Sequence, residues 1–330
     1  MAIKVAVAQN SLADFDELVV RLRGEVDFVT GPVDTPAQIA ELTIGADALV
    51  VGFHRLDEEC FTAMNDSVKV IGRTGVGLDA IDLEAAKRHG VAVVHQLTYA
   101  TAEVATHAVA MLLALQRRLP QADAAVRAGW GRVADVGSVW ALDDASVGVL
   151  GCGRIGRAVV DRLVPFVREV RVFDPMVTEG VPGTRLVADL DELLDDVDAV
   201  SLHLPLTDQT RHLIGRREIR RMRPGALLVN VSRGGLVDEE ELALALADGH
   251  LAGAGLDVFE IEPLPQSSSL RSAPNLLQSP HVAWYSDSSL RRLSEWTIAD
   301  VVSYATRQHV SHGRLAVAPT GPRVSVTSRH

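Results

Sequence analysis

At 330 residues the chain is too long for one ordinary core and fits two domains. Its 47% apolar and 23% charged residues match globular proteins and exclude disorder as the main state. A formal net charge of -11 repels phosphate backbones and anionic lipid, so no nucleic-acid and no membrane partner is expected.

Cys60 and Cys152 are too few for a disulfide framework, and a reducing compartment is the default. The opening residues, Met-Ala-Ile-Lys-Val-Ala-Val-Ala, lack the basic start, apolar run and cleavage site of a secretory signal and read as a strand. The longest nearly apolar stretch, 108–115, is far shorter than the roughly 20 residues of a membrane span. A soluble, cytoplasmic protein is expected.

In chain order, β-branched runs at 3–8, 26–29, 48–51, 68–71 and 91–94 predict strands. Apolar spacing over 12–22, 36–44, 58–64 and 83–89 predicts the helices between them. Such alternation means a parallel sheet covered on both faces. The segment 102–119 reads as a helix apolar on most sides, ended by Pro120 and buried between domains or subunits. An irregular, glycine-dotted stretch follows over 128–144. Strands then resume at 147–150, 170–173, 199–204, 226–231 and 252–256, with helices at 155–167, 190–194 and 239–247. A last helix over 288–306 precedes a polar coil and is placed to pack back on the first domain.

The strand at 147–150 runs straight into Gly151-Cys152-Gly153-Arg154-Ile155-Gly156 and a helix. In that context each glycine has a reason: Gly151 for the tight turn, Gly153 for approach of a pyrophosphate, Gly156 for helix–strand packing. The helix N-terminus then binds the negative charge. Asp174 closes the next strand, eighteen residues after Gly156. A carboxylate there accepts from both ribose hydroxyls and repels a 2′-phosphate, which selects NAD(H) over NADP(H). Cys152 reads as a small filler, since no adjacent base is evident.

Several separated blocks now carry a resemblance. They are Gly72-Arg73-Thr74-Gly75-Val76-Gly77-Leu78-Asp79, the dinucleotide loop, Asn230-Val231-Ser232-Arg233-Gly234-Gly235, Leu256-Asp257-Val258-Phe259-Glu260-Ile261-Glu262-Pro263 and Ser279-Pro280-His281. Together they resemble the D-isomer-specific 2-hydroxyacid dehydrogenases over nearly the whole chain. The continuation His281-Val282-Ala283-Trp284-Tyr285-Ser286 and the pair Arg117-Arg118 resemble the C-terminal binding protein branch of that family. The resemblance implies two doubly wound parallel-sheet α/β domains. One is a flavodoxin-like substrate domain, discontinuous over 1–100 and 285–330; the other is a Rossmann NAD-binding domain over 101–284.

It also implies catalysis by Arg233, Glu262 and His281. His281 donates or accepts the proton near neutral pH, Glu262 orients its imidazole and favours the charged form, and Arg233 binds the substrate carboxylate and carbonyl. Asp257 is expected to bond the nicotinamide carboxamide. Val76, Thr106, His203, Pro205, Thr210, Val231, Ser232 and Trp284 are expected beside the cofactor, with His203 as a lining residue rather than an acid or base. The substrate wall is expected from His54, Arg73, Gly75, Val76, Gly77, Arg233 and Trp284, with the glycine loop forming a nest of N–H groups for the carboxylate. Arg73, Arg154 and Arg233 are expected to make the site locally positive within an acidic protein.

Pro165 and Arg168-Glu169 stand where the family usually has glycine, so the first cofactor helix is expected to end early. The reaction implied is NAD-dependent reduction of a 2-keto acid, with the 2-hydroxy acid as product and no metal. Phosphite oxidation is discounted because Val76 occupies the position of its lysine. Trp284 and Tyr285 argue against formate oxidation. The alternative is an NADH-sensing scaffold or corepressor of the C-terminal binding protein kind, with weak dehydrogenase activity. A homodimer is expected, with the apolar helix near its interface.

Overall fold

The computed structural model describes residues 2–9, 11 and 15–318. The chain divides into two compact units, the residues up to Ala100 with those from Ser286 on, and Thr101–Tyr285.

In the first unit the elements alternate as β1 (Ile3–Ala8), α1 (Asp16–Arg21), β2 (Val26–Gly31), α2 (Pro36–Leu42), β3 (Ala48–Val51), α3 (Glu58–Ala63), β4 (Val70–Arg73), α4 (Leu83–Arg88) and β5 (Ala92–His95). Of the helix expected over 12–22, residues 12–14 lie outside the described residues. Strands β3, β4 and β5 are buried along their whole length, as a sheet covered on both faces requires. Helix starts are written in the sequence: Thr35 and Gln38 form a reciprocal cap with Pro36 behind it, and Asp57 and Asp82 cap α3 and α4. Such caps are worth about 1 kcal/mol each.

The second unit comprises α5 (Thr101–Gln116), α6 (Leu119–Arg127), α7 (Val133–Val136), β6 (Ser146–Leu150), α8 (Arg154–Leu163), β7 (Glu169–Phe173), β8 (Arg185–Leu186), α9 (Leu190–Leu194), β9 (Ala199–Leu202), α10 (Arg216–Arg221), β10 (Ala226–Asn230), α11 (Glu239–Ala247), β11 (Leu251–Leu256) and β12 (Leu276–Gln278). Back in the first unit follow α12 (Asp287–Arg307) and β13 (Arg314–Val317).

Among the described residues the first unit's sheet has the order β13-β5-β4-β3-β1-β2, and the second unit's β12-β11-β10-β9-β6-β7-β8. Every pairing is parallel except β13 on β5. The first order is flavodoxin-like with an added edge. The second is the Rossmann order, whose strand direction of progress reverses between β6 and β9. Ligands of such sheets bind beyond the strand carboxyl ends at that point.

Three expectations need correction. Pro120 does not simply end the apolar helix: α5 stops at Gln116, Arg118 turns left-handed (φ 50°), and Pro120 sits in the first turn of a new helix, α6. A proline is tolerated there because its missing N–H has no intrahelical partner anyway. The buried side of α5 (Ala105, Ala108, Met111, Leu112) packs within the second unit, in one cluster with Val147, Val149, Val159 and Val229. Of the polar coil expected after α12, Arg314–Val317 form a strand, and residues 319–330 lie outside the described residues. Buried Asp300 accepts from the N–H groups of Ser311 (2.8 Å), His312 (3.0 Å) and Gly313 (2.6 Å) and from the Gln96 amide, which turns the chain back along β5.

Helix α8 ends at Leu163, ahead of Pro165, as the missing glycine implied. Helix α12 packs on β1, β3, β4 and β5. No helix among the described residues is long and apolar enough to cross a membrane.

Candidate active site

The loops after β6, β9, β10, β11 and β12 all leave the same edge of the second unit's sheet. After β6, Gly151 has φ +90°, and a Cβ there would lie 2.6 Å from the His203 carbonyl oxygen. A Cβ on Gly156 would lie 2.1 Å from the Gly151 oxygen. Both positions therefore admit glycine alone. A Cβ on Gly153 would meet no protein atom within 4 Å. That opening at the start of α8, with no side chain capping the helix, fits a pyrophosphate seated against its N–H groups. Asp174 braces the loop from β7, accepting from Cys152 N (2.7 Å) and Met176 N (2.9 Å). Cys152 is buried, and burial pushes its thiol up, which suits a filler and not a nucleophile.

After β10, buried Asn230 staples the next turn: its Nδ2 donates to the Arg233 carbonyl (2.8 Å), and its Oδ1 accepts from Ser232 N (3.0 Å). Gly234 then passes so close to the 259–260 backbone that a Cβ would lie 1.9 Å from the Phe259 carbonyl carbon. This contact sets Arg233 beside the loop that carries Glu262. Glu262 accepts from Phe259 N (2.9 Å) through one oxygen and faces His281 Nδ1 at 2.7 Å through the other. Burial pushes the Glu262 carboxyl up. The His281 and Phe259 hydrogen bonds and the His281 and Arg233 charges outweigh it, leaving the group below its ordinary value.

His281 sits in the left-handed region at φ 55°, which costs a non-glycine residue about 1–2 kcal/mol. Asp257, wholly buried, offsets that cost. Its carboxylate accepts from Val282 N (2.9 Å), Ala283 N (2.8 Å) and the Ser279 hydroxyl, and its carbonyl accepts from His281 N (2.8 Å). Trp284 Nε1 closes the turn on the His281 carbonyl (3.0 Å) and packs edge-on to Tyr285. Nδ1 of His281 is thus held by Glu262.

Residues 109–283 match the family model described as D-isomer specific 2-hydroxyacid dehydrogenase, NAD binding domain. The D-3-phosphoglycerate dehydrogenase of Methanocaldococcus jannaschii is 39% identical over 262 residues, 78% of this chain and 49% of that protein. The glyoxylate reductase of Korarchaeum cryptofilum is 36% identical over 76% of both chains. Among solved structures, the TT0316 protein from Thermus thermophilus superposes with TM-score 0.84 at 31% identity, covering 96% of this chain and 100% of that one. The chain belongs to the D-isomer specific 2-hydroxyacid dehydrogenase family. Its second unit carries the family's NAD-binding domain, so NAD(H) is the cofactor. The chain spans about half the length of the phosphoglycerate dehydrogenases it matches.

Against the positions this family implies, the remaining residues fall as follows. His203 follows β9 next to Gly151. Burial lowers its pKa to about 3, so it is neutral and cannot serve as an acid near neutral pH. Its Nε2 bonds Ser201 Oγ (2.8 Å), while buried Nδ1 has no partner. Ser232 Oγ donates to the Leu202 carbonyl (2.7 Å), and Thr210 Oγ1 to the Pro205 carbonyl (2.8 Å). Thr106 Oγ1 donates to Ala102 O (2.8 Å) and accepts from Arg162 (3.3 Å), so it ties α5 to α8. Val231 is buried, Ile155 half-buried and Arg154 exposed at the first position of α8.

In the first unit, Arg73 is only 6% exposed; its guanidinium donates to the Thr74 carbonyl and lies 4.9 Å from the Phe53 ring centre. Gly75 has φ +137°, and its N–H donates to the Arg73 carbonyl (3.0 Å). The Gly75 N–H expected in the nest is therefore already bonded within the loop. The Val76 carbonyl faces His95 Nδ1 at 2.7 Å. His54 Nδ1 accepts from Gly52 N (3.3 Å), and the residue lines a cavity of about 470 Å³ with Val33, Asp34, Phe53 and Arg55.

Reading the sequence assigned no role to Asn230, Gly234, Ser279 or His107. The first three stand inside blocks quoted for their neighbours. His107 belongs to no quoted block and stands among the largely apolar residues of α5.

Proposed function

We propose that this chain is an NAD-dependent D-2-hydroxyacid dehydrogenase that reversibly reduces a 2-keto acid. The observation that carries the reading is the 2.7 Å contact of His281 Nδ1 with Glu262, held beside the Arg233 turn at the strand ends of an NAD-binding unit. NADH, when bound, supplies the hydride to the keto carbon. His281 then gives its Nε2 proton to the carbonyl oxygen, and Glu262 stabilises the imidazolium before transfer. Arg233 presents a planar fork of donors to the substrate carboxylate and to the oxygen where negative charge grows. In the reverse direction neutral His281 takes the hydroxyl proton. We assign Asp174 to the adenosine ribose, which favours NAD(H) over NADP(H).

The substrate is a small anionic 2-keto acid. Relatives named as acting on phosphoglycerate and on glyoxylate support that class without selecting a member. The scaffold alternative rests on residues 281–286 and the Arg117-Arg118 pair. In the structure Trp284 and Arg118 have local roles, closing the His281 turn and linking α5 to α6, and the named relatives are enzymes. A homodimer is also proposed. Its support lies in the segment from α6 to the start of α7, where Leu119, Val126, Trp130 and Val133 are 55%, 55%, 79% and 89% exposed. Purified protein with NADH and a panel of 2-keto acids tests the function. Turnover of at least one acid is expected; tight NADH binding without turnover of any would favour the scaffold.

A further inference from the structure

Helix α5 carries one imidazole, His107, that reaches across to the loop after β12. His107 Nε2 lies 2.9 Å from Ser279 Oγ, a residue 172 positions away, and 3.7 Å from Asp257 Oδ1. The Ser279 hydroxyl donates its only proton to Asp257, so its oxygen accepts and His107 Nε2 carries the hydrogen. Three residues, from α5 and from the loops after β12 and β11, thus form one directed chain, His107 to Ser279 to Asp257, ending on the carboxylate that holds the Val282 and Ala283 amides. Ser279 is further tied by its own N–H to the Leu256 carbonyl (3.0 Å) and accepts from His281 N (3.1 Å).

Asp257 is 0% exposed. A buried carboxylate is tolerated only where donors satisfy it, and a partly satisfied network loosens the groups it holds. Those groups form the left-handed turn of His281, the residue assigned the proton. We propose that His107 and Ser279 are positioning residues, which lock Asp257 and through it fix the orientation of His281 against Glu262. Neither touches the reacting atoms. The proposal rests on the dehydrogenase reading for its kinetic consequence, but the turn itself can be watched without turnover.

The test uses two pairs of variants of the full chain. His107→Leu and Ser279→Ala remove the hydrogen bonds, whereas His107→Gln keeps a donor near Nε2 and Ser279→Thr keeps the hydroxyl. The first pair should exchange the Val282 and Ala283 amide hydrogens about tenfold faster than the parent. It should also lower kcat about 10–100-fold, with NADH Kd and keto-acid KM within about twofold. The conservative pair should restore both slow exchange and most of kcat. Unchanged exchange and kcat in the first pair, or equal damage in the conservative pair, would overturn the proposal. If the parent reduces no 2-keto acid, the functional reading fails, and the exchange rates alone still decide the relay.

Discussion

At the scale of single residues, the candidate chemistry is a matter of what each charged group is left free to do. Arg73 spends its guanidinium on Thr74 and Phe53, and Asp257 spends its carboxylate on the His281 turn. Glu262 keeps one oxygen for the imidazole. Glu262→Gln should therefore lower kcat about 100-fold or more while leaving NADH affinity within about twofold. Steady-state kinetics and equilibrium titration check this, and unchanged turnover would remove Glu262 from the mechanism. The same carboxyl lies below its ordinary value of 4.5, so its ionised form stabilises the folded chain. That contribution is complete above the unfolded value and is lost as pH falls through the lowered folded value. The Tm advantage of parent over Glu262→Gln should thus shrink as pH falls below the ordinary value of 4.5, and an advantage that grows on acidification would contradict it.

At the scale of elements, the dinucleotide loop separates glycines kept for the fold from one kept for the ligand. Gly156→Ala forces a Cβ against the Gly151 oxygen and should cost about 1–3 kcal/mol in denaturant melts. Gly153→Ala meets nothing and should melt like the parent, yet weaken NADH about 10–100-fold by obstructing the helix N-terminus. Equal NADH affinity in Gly153→Ala would remove the pyrophosphate from this loop. These glycines were legible because steric demands at a tight turn leave one residue type. The central strands were legible for a related reason: burial on both faces leaves β-branched runs. The short edges were not. Strands β8, β12 and β13 are two to four residues long and only partly buried, so their sequences look like loop. Helix α10 reads Arg-Arg-Glu-Ile-Arg-Arg: only Ile219 is buried, and its arginines pair with Asp191, Asp195 and Asp248 from neighbouring segments, partners that its own sequence does not announce. The Asp257 turn was invisible for the same reason, since Ser279 and His107 meet only after folding.

At the scale of the whole molecule, a net charge of -11 must coexist with an anionic cofactor and, on the proposed function, with an anionic substrate. In the second unit, exposed Arg154, half-buried Arg233 and the uncapped N-terminus of α8 are the groups we propose for that compensation. The exposed apolar residues of the segment from α6 to the start of α7 predict association of two chains. Light scattering should give twice the 35.4 kDa chain mass, and Trp130→Ser with Val133→Ser should return it to one. A parent of single-chain mass would remove the dimer. The sequence marked the apolar helix α5 for that interface, but α5 is spent on the core beneath it, which periodicity alone does not distinguish from an outer contact. The central claim is that this chain passes a hydride from NADH to a 2-keto acid with His281 as the proton donor. The direct measurement is NADH oxidation by the parent and by His281→Gln on the best acid of the panel. The account predicts turnover by the parent and a loss of about 100-fold or more in the variant, with NADH still bound. Equal turnover by the two proteins would contradict it.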